Sequence, residues 1–279
     1  MSPSTDPADV ALAARLDGHR LLLCNGLLGE VIAGLHMDYM STQLDWLRGL
    51  GLAVARAPTP TAAPIAENAA RIATIVEGDD APIILIGHSK GGLEALSALL
   101  MPGIAARCRG FLALQSPFRG SPVADAALGY GPLRDLADHA LRLARLGDGQ
   151  GLADLTCAVR EPWMAAHEAG IAALTARLPV ASLATALTDP CPWRDRAYLP
   201  LARWMEEKGA GPNDGLVPVS STRLPGARHA VFPGGHRALV ATGAGRDPVA
   251  FLRAELAALL GVAIPSPPPP EPVPHPPPR

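Results

Sequence analysis

The stretch Pro82-Ile83-Ile84-Leu85-Ile86 runs directly into Gly87-His88-Ser89-Lys90-Gly91-Gly92, and a helical pattern follows to residue 100. A strand that becomes a helix within so short a turn strains its central residue and brings neighbouring backbone into close approach. Glycines two positions before and two after Ser89 remove the side chains that would clash there. The turn raises a hydroxyl above a sheet, at the N-terminus of a helix whose dipole favours a developing negative charge. Gly-x-Ser-x-Gly alone is a weak motif; the strand before it and the helix after it give it meaning. Ser89 is therefore the candidate nucleophile, with a plain turn serine as the alternative reading.

Strand-like and helix-like segments alternate through most of the chain, the pattern of an α/β fold with a mostly parallel sheet flanked by helices. Strands are expected at 21–24, 54–57, 82–86, 110–114, 180–187 and 230–232. Met37, Met40, Leu44 and Leu47 recur at helical spacing ahead of Gly49 and Gly51, and a helix over 66–77 pairs Glu67 with Arg71. Asp247-Pro248 opens a last helix with cap and proline in the preferred order. Val249, Leu252, Leu256 and Leu259 form its apolar face and Gly261 ends it. From 122 to 179 the sequence is Ala- and Leu-rich and helical, with Gly147-Asp148-Gly149 as a turn. It reads as a cap or lid inserted over the C-terminal edge of the sheet. The domain so outlined spans 20–264, between an N-terminal extension at 1–19 and a Pro-rich tail at 265–279.

Composition narrows the classes of function. With 48% hydrophobic residues in 279, a sizeable core is available and wholesale disorder is excluded; aromatics are only 4%, so that core rests on Leu, Ala, Val and Ile. A net charge of −2 argues against a nucleic-acid binder or a polybasic membrane-surface protein. Cys24, Cys108, Cys157 and Cys191 stand far apart without C-x-x-C spacing, which gives no structural zinc site and argues against a disulfide framework. No apolar run reaches the length of a transmembrane helix. Asp6 and Asp9 stand where a signal peptide carries Lys or Arg, and Arg15 and Asp17 break the apolar run, so a cytoplasmic location is expected. Ten of the 30 prolines fall in the last fifteen residues. That tail reads as a solvated polyproline II segment. Its functional reading is a ligand for a proline-recognising partner, while its composition favours an unpacked extension.

A serine hydroxyl needs a base, and the base needs an orienting acid. His236 follows the strand over 230–232 in Phe232-Pro233-Gly234-Gly235-His236, which places an imidazole on the sheet's C-terminal edge beside the serine. His229 precedes that strand and is expected at the opposite edge, so His236 is preferred. Two aspartates compete for the acid. Asp189 directly follows the strand over 180–187, whereas Asp214 stands in the turn-forming Asn213-Asp214-Gly215 before an apolar run. A helical excursion after that strand could carry the acid later in sequence and keep it in the same loop. Acyl transfer also needs donors for an oxyanion. The backbone amides of Lys90, next to the nucleophile, and of Leu27, in Asn25-Gly26-Leu27-Leu28-Gly29, are the candidates. The Lys90 side chain itself is expected to point to solvent.

These segments together resemble the α/β-hydrolase superfamily and, within it, the bacterial true lipases. The resemblance is carried by the Asn25–Gly29 loop, by the Gly87–Gly92 elbow, by Ser116-Pro117-Phe118-Arg119-Gly120-Ser121-Pro122-Val123-Ala124-Asp125, and by Asn213-Asp214-Gly215-Leu216-Val217. Gly151-Leu152-Ala153-Asp154-Leu155-Thr156 is similar to a short segment of the lid region. The match is discontinuous over about 20–240. It implies an α/β-hydrolase fold with a helical lid, a Ser89–Asp214–His236 triad with Asp214 rather than Asp189 as the acid, and hydrolysis of carboxylic esters of medium or long acyl chain. Thioesters, amides and polyesters are alternative substrates for the same triad. A non-catalytic scaffold acting through the tail is the distant alternative. Asn25 replaces the usual histidine before the oxyanion glycine. Arg237 stands where such lipases often carry a calcium-binding aspartate, so neither calcium nor another cofactor is expected.

Overall fold

A computed structural model describes residues 6–27, 38–60, 62–128 and 150–263. Six strands, β1 (Arg20–Cys24), β2 (Ala53–Arg56), β3 (Ile83–His88), β4 (Cys108–Leu114), β5 (Val180–Ala186) and β6 (Arg228–Pro233), form one sheet in the order β2-β1-β3-β4-β5-β6. Every neighbouring pair is parallel. A parallel sheet is covered on both faces, so its inner strands read as unbroken apolar runs rather than alternating ones. β3 is buried at all of its positions.

The side-chain period of two sorts those runs onto opposite faces. Leu22, Cys24, Ile83, Leu85, Phe111 and Ala113 join one core cluster, with Ile72, Val76, Leu93 and Leu96 from the helices Ile65–Glu77 and Lys90–Leu99. Leu21, Leu23, Ile84, Ile86, Leu112 and Leu114 join the other, with Leu44, Leu47, Leu252 and Leu256 from the helices Ser41–Gly49 and Pro248–Leu260. Each fully buried Leu or Ile contributes about 1.5–3 kcal/mol, and the two clusters hold the strand ends in fixed register. That register sets Cys24 beside Gly87 and Leu114 beside His88. The loops leaving β1, β3, β4, β5 and β6 therefore share the carboxyl edge of the sheet, where open α/β sheets place their sites.

The expected elements appear, with strand boundaries displaced by no more than two residues. Asp247 caps the last helix, its carboxylate accepting from the Val249 and Ala250 amides, and Gly261 ends it in the left-handed region. Met40 lies just before its helix rather than inside it, and Met37 lies outside the described residues.

Two features differ from the sequence reading. Within the segment read as an extension, Pro7–Leu16 forms a helix capped by Asp6. Its Leu12 and Leu16, one turn apart, are fully buried in the second cluster, and Arg253 of the last helix pairs with Asp6 and Asp9. The stripe is short, and this hides it from a pattern search. In the insertion, Pro122–Leu128, Gln150–Ala153, Cys157–Ala166 and Glu168–Thr175 are helical, and 129–149, including the Gly147–Gly149 turn, lies outside the described residues. Met164, Ile171 and Leu174 pack in the first cluster with Phe111 and Val180. The part over 157–175 is thus a crossover layer on the face of the sheet, as a parallel β4–β5 connection requires, rather than a cap over its edge. As the sequence reading allowed, the excursion between β5 and Asp214 is helical: a 3-10 turn, Trp193–Tyr198, and a helix, Leu199–Glu207.

The tail at 265–279 lies outside the described residues. All four cysteines are free thiols. No helix among the described residues is long and apolar enough to cross a membrane.

Candidate active site

β3 ends at His88 and the next helix starts at Lys90, leaving Ser89 alone in the turn at φ 53 and ψ −124. A residue with a side chain in that region is strained by about 1–3 kcal/mol and persists only where its surroundings over-determine it. They do so here. A Cβ on Gly91 would lie 2.1 Å from the Cys24 carbonyl oxygen, and one on Gly87 2.5 Å from Gly92 Cα. The Ser89 amide donates to the Leu114 carbonyl at 2.8 Å, which ties the turn to the end of β4.

The structure brings Ser89, His236 and Asp214 together. His236 Nε2 is 2.9 Å from Ser89 Oγ and His236 Nδ1 is 2.9 Å from Asp214 Oδ2. All three residues are buried. A carboxylate only accepts, so Nδ1 carries the proton and Nε2 presents its lone pair to the serine hydroxyl. The other oxygen of Asp214, Oδ1, accepts from the amides of Leu216 at 3.0 Å and Val217 at 2.8 Å. The turn that offers it is built locally: Asn213 Oδ1 accepts from the Gly215 amide, and Gly215 sits at φ 90 against Tyr198. The Leu187 amide donates to the Asn213 carbonyl, so the excursion over 188–212 returns to the end of β5.

The competing residues go elsewhere. Asp189 is exposed and faces the equally exposed Arg203 at 3.4 Å. His229 lies on β6, where its Nε2 donates to Thr222 Oγ1, since the Thr222 proton goes to the Val219 carbonyl. Asn25 Oδ1 accepts from Arg56, which also binds the Tyr39 carbonyl and Ser41, and this anchors the start of the Gly26-Leu27 loop. A Cβ on Gly26 would lie 2.8 Å from Ser89 Cβ, so that loop runs directly against the serine. Leu28 and Gly29 lie outside the described residues. The Lys90 amide is the first of its helix and so lacks an intrahelical acceptor.

The Lys90 side chain does not reach solvent, contrary to expectation. It is fully buried, with Nζ 2.5 Å from Glu94 Oε1 and 2.6 Å from the Ala63 carbonyl. Spacing of i,i+4 brings the pair together, and Asn68 adds a donor to the same Glu94 oxygen at 2.7 Å. Burial pushes the Glu94 carboxyl upward, against the opposing pull of Lys90. Arg237 donates to the Asp38 carbonyl at 2.7 Å. Among the described residues, no group of three or more His, Cys, Asp or Glu could hold a metal ion.

Sequence reasoning missed four residues around this site. Tyr39 Oη accepts from the Gly26 amide at 2.7 Å and lies 2.7 Å from His88 Nδ1, and His88 Nε2 donates to the His236 carbonyl at 3.0 Å. A carbonyl can only accept, so His88 is the Nε2–H tautomer and Tyr39 gives its proton to Nδ1. One chain of bonds thus joins the Gly26 loop, the elbow and the histidine loop. Burial, reinforced by His236, depresses His88 to about 3, so the ring stays neutral and both bonds persist. Asp195 accepts from the Gly235 amide at 3.1 Å and pairs with Arg246, holding the histidine loop from the other side. Gln115, at the end of β4, directs its amide at Asp214 Oδ2 from 3.2 Å. His88 was readable as part of the elbow. Tyr39, Gln115 and Asp195 carry no motif; only the fold brings them to the site.

No family model matches the chain, and no curated protein matches it. Solved structures do. A metagenomic carboxyl esterase superposes with a TM-score of 0.71 at 24% identity, over 93% of this chain and 77% of that one. A Bacillus licheniformis lipase in its mature form superposes with a TM-score of 0.61 at 19% identity, over 86% and 88%. The parallel sheet flanked by helices and these likenesses define the α/β-hydrolase fold.

Proposed function

We propose that this protein is a serine hydrolase of carboxylic esters. The observation that carries the reading is the buried relay from Ser89 Oγ through His236 to Asp214, with both links at 2.9 Å. Ser89 Oγ attacks the acyl carbonyl carbon as His236 Nε2 takes its proton, a general-base contribution of about 10²–10⁴. Asp214 keeps the imidazole in the reactive tautomer and stabilises the imidazolium. The Leu27 and Lys90 amides receive the negative oxygen of the tetrahedral intermediate, each donor being worth about 10²–10³ in rate. The intermediate collapses as His236 returns the proton to the departing alkoxide. An acyl-serine remains, and water activated by the same imidazole cleaves it to acid and free Ser89.

A medium or long acyl chain suits the apolar surroundings. Leu27 packs against the cluster that holds Leu93, Phe118, Leu152 and Leu155, so the candidate oxyanion loop borders hydrocarbon. Hydrolysis of p-nitrophenyl esters from acetyl to palmitoyl, by the wild type and by Ser89→Ala and His236→Ala, tests the reading. It expects a rate that both substitutions remove, with an optimum beyond acetyl. Turnover that survives Ser89→Ala would contradict it.

A further inference from the structure

Gln115 stands immediately beyond β4 with φ 52, a left-handed conformation that disfavours residues with a side chain. It is fully buried. Its own amide donates to the Leu183 carbonyl at 2.7 Å, which fixes the backbone against β5. Its Nε2 is 3.0 Å from the Gly235 carbonyl and 3.2 Å from Asp214 Oδ2, and it also touches Thr185 Oγ1. Two of these neighbours can only accept, so the nitrogen, not the oxygen, must face them. Gln115 Oε1 is buried and makes no hydrogen bond of ordinary geometry, although the side chain acts electrostatically on His88. The backbone is strained, and what the arrangement secures is a donor at one place.

We propose that Gln115 is a positioning residue of the hydrolase site, joining the Asp214 carboxylate to the Gly235 carbonyl of the histidine loop through its side-chain amide. This rests on the triad reading given above. Asp214 Oδ1 is fixed by two amides of its own turn, whereas Oδ2 is shared between His236 Nδ1 and Gln115 Nε2, with Thr185 Oγ1 more distant at 3.4 Å. The Gln115 bond therefore sets both the rotation of the carboxylate and its spacing from the imidazole. A donor on a carboxylate also disperses its charge. Without it, the oxygen facing His236 binds the imidazolium more strongly and the base holds its proton to higher pH.

Other charged and titratable groups face this pair. His88 donates to the His236 carbonyl and is neutral down to about 3, burial being the main cause; Tyr198 is pushed up to about 12 by burial. Asp195 is paired with Arg246, and Arg237 donates to the Asp38 carbonyl. His88 and Tyr198 each keep one charge state between those two values, so a limb that moves within that range is not theirs.

Two variants test the proposal. Gln115→Gly removes the donor and relieves the left-handed strain, and Gln115→Met keeps the length and the strain but lacks the N–H. In both, kcat for a p-nitrophenyl ester is expected to fall about 10- to 100-fold, the scale of a misplaced catalytic group. KM stays within about twofold, and the acidic limb of kcat/KM moves upward by about half a unit to one unit. Gln115→Gly should melt no lower than Gln115→Met, although both lose activity. A wild-type kcat with an unmoved acidic limb in either folded variant overturns the proposal. Failure of the triad reading itself looks different: Ser89→Ala would then retain turnover, whatever the Gln115 variants do.

Discussion

Replacing Tyr39 with Phe removes a single oxygen that lies at the centre of the chain linking Gly26, His88 and His236. The hydroxyl is buried, accepts from the Gly26 amide at 2.7 Å and donates to His88 Nδ1 across another 2.7 Å. Its loss leaves one buried donor and one buried acceptor without partners, each costing about 1–3 kcal/mol. His88 cannot compensate by changing tautomer, because its Nε2 would then turn a lone pair towards the His236 carbonyl. A combined cost of about 3 kcal/mol corresponds to a fall in Tm of about 6–12 °C for a chain of this size. The Gly26-Leu27 loop is the part released, so kcat should fall by about tenfold while a fluorophosphonate still labels Ser89. Differential scanning calorimetry and ester kinetics on Tyr39→Phe read both effects. A Tm within about 2 °C of wild type, with kcat unchanged, would show that the chain of bonds neither supports the fold nor holds the loop.

His88 also predicts an acid sensitivity. Its folded pKa, about 3, lies below the unfolded value near 6.5, so the unfolded chain binds the extra proton first. The stability it contributes is complete above 6.5 and is lost as pH falls from there towards 3, at up to about 1.4 kcal/mol per unit; equilibrium urea unfolding between pH 4 and 8 measures the slope. For the acid, Asp214→Asn should lower kcat by about 10⁴, and Asp189→Asn should leave it within about twofold, as steady-state kinetics would read directly. Lys90→Met strands the buried Glu94 carboxylate and should cost about 3–5 kcal/mol. Adding Glu94→Leu should restore most of that loss in urea unfolding, and the folded double variant should keep its kcat, because only the Lys90 amide is used.

The alternation of apolar runs made the parallel sheet legible, and Pro82–Gly92 revealed the elbow, because strand, glycines and helix sit within one short stretch. Ser89 and His236 were readable for the same reason: each follows a strand on a glycine-bearing loop. Asp214 could be weighed against Asp189 but not separated from it by local pattern, since the choice depends on the 193–207 excursion returning to β5. The two helices over 157–175 read as part of a cap in sequence because helical periodicity does not say which surface a helix covers. Sequence points Lys90 to solvent because a lysine usually goes there; Glu94 lies one turn away on the same helix, but the burial of the pair and the Ala63 carbonyl come only with packing. Tyr39 meets His88 across 49 residues of sequence, Gln115 meets Gly235 across 120 and Asp195 meets Gly235 across 40, and no spacing rule encodes such meetings.

The central claim is that Ser89, activated by His236, is a nucleophile. The most direct measurement is the intact mass of the protein after brief exposure to a fluorophosphonate, followed by peptide mapping, for the wild type, Ser89→Ala and His236→Ala. The account predicts one adduct on the wild type, located at Ser89, none on Ser89→Ala, and labelling of His236→Ala slowed by several orders of magnitude. An unlabelled wild type, or a label on Ser89 that is indifferent to the loss of His236, would contradict it.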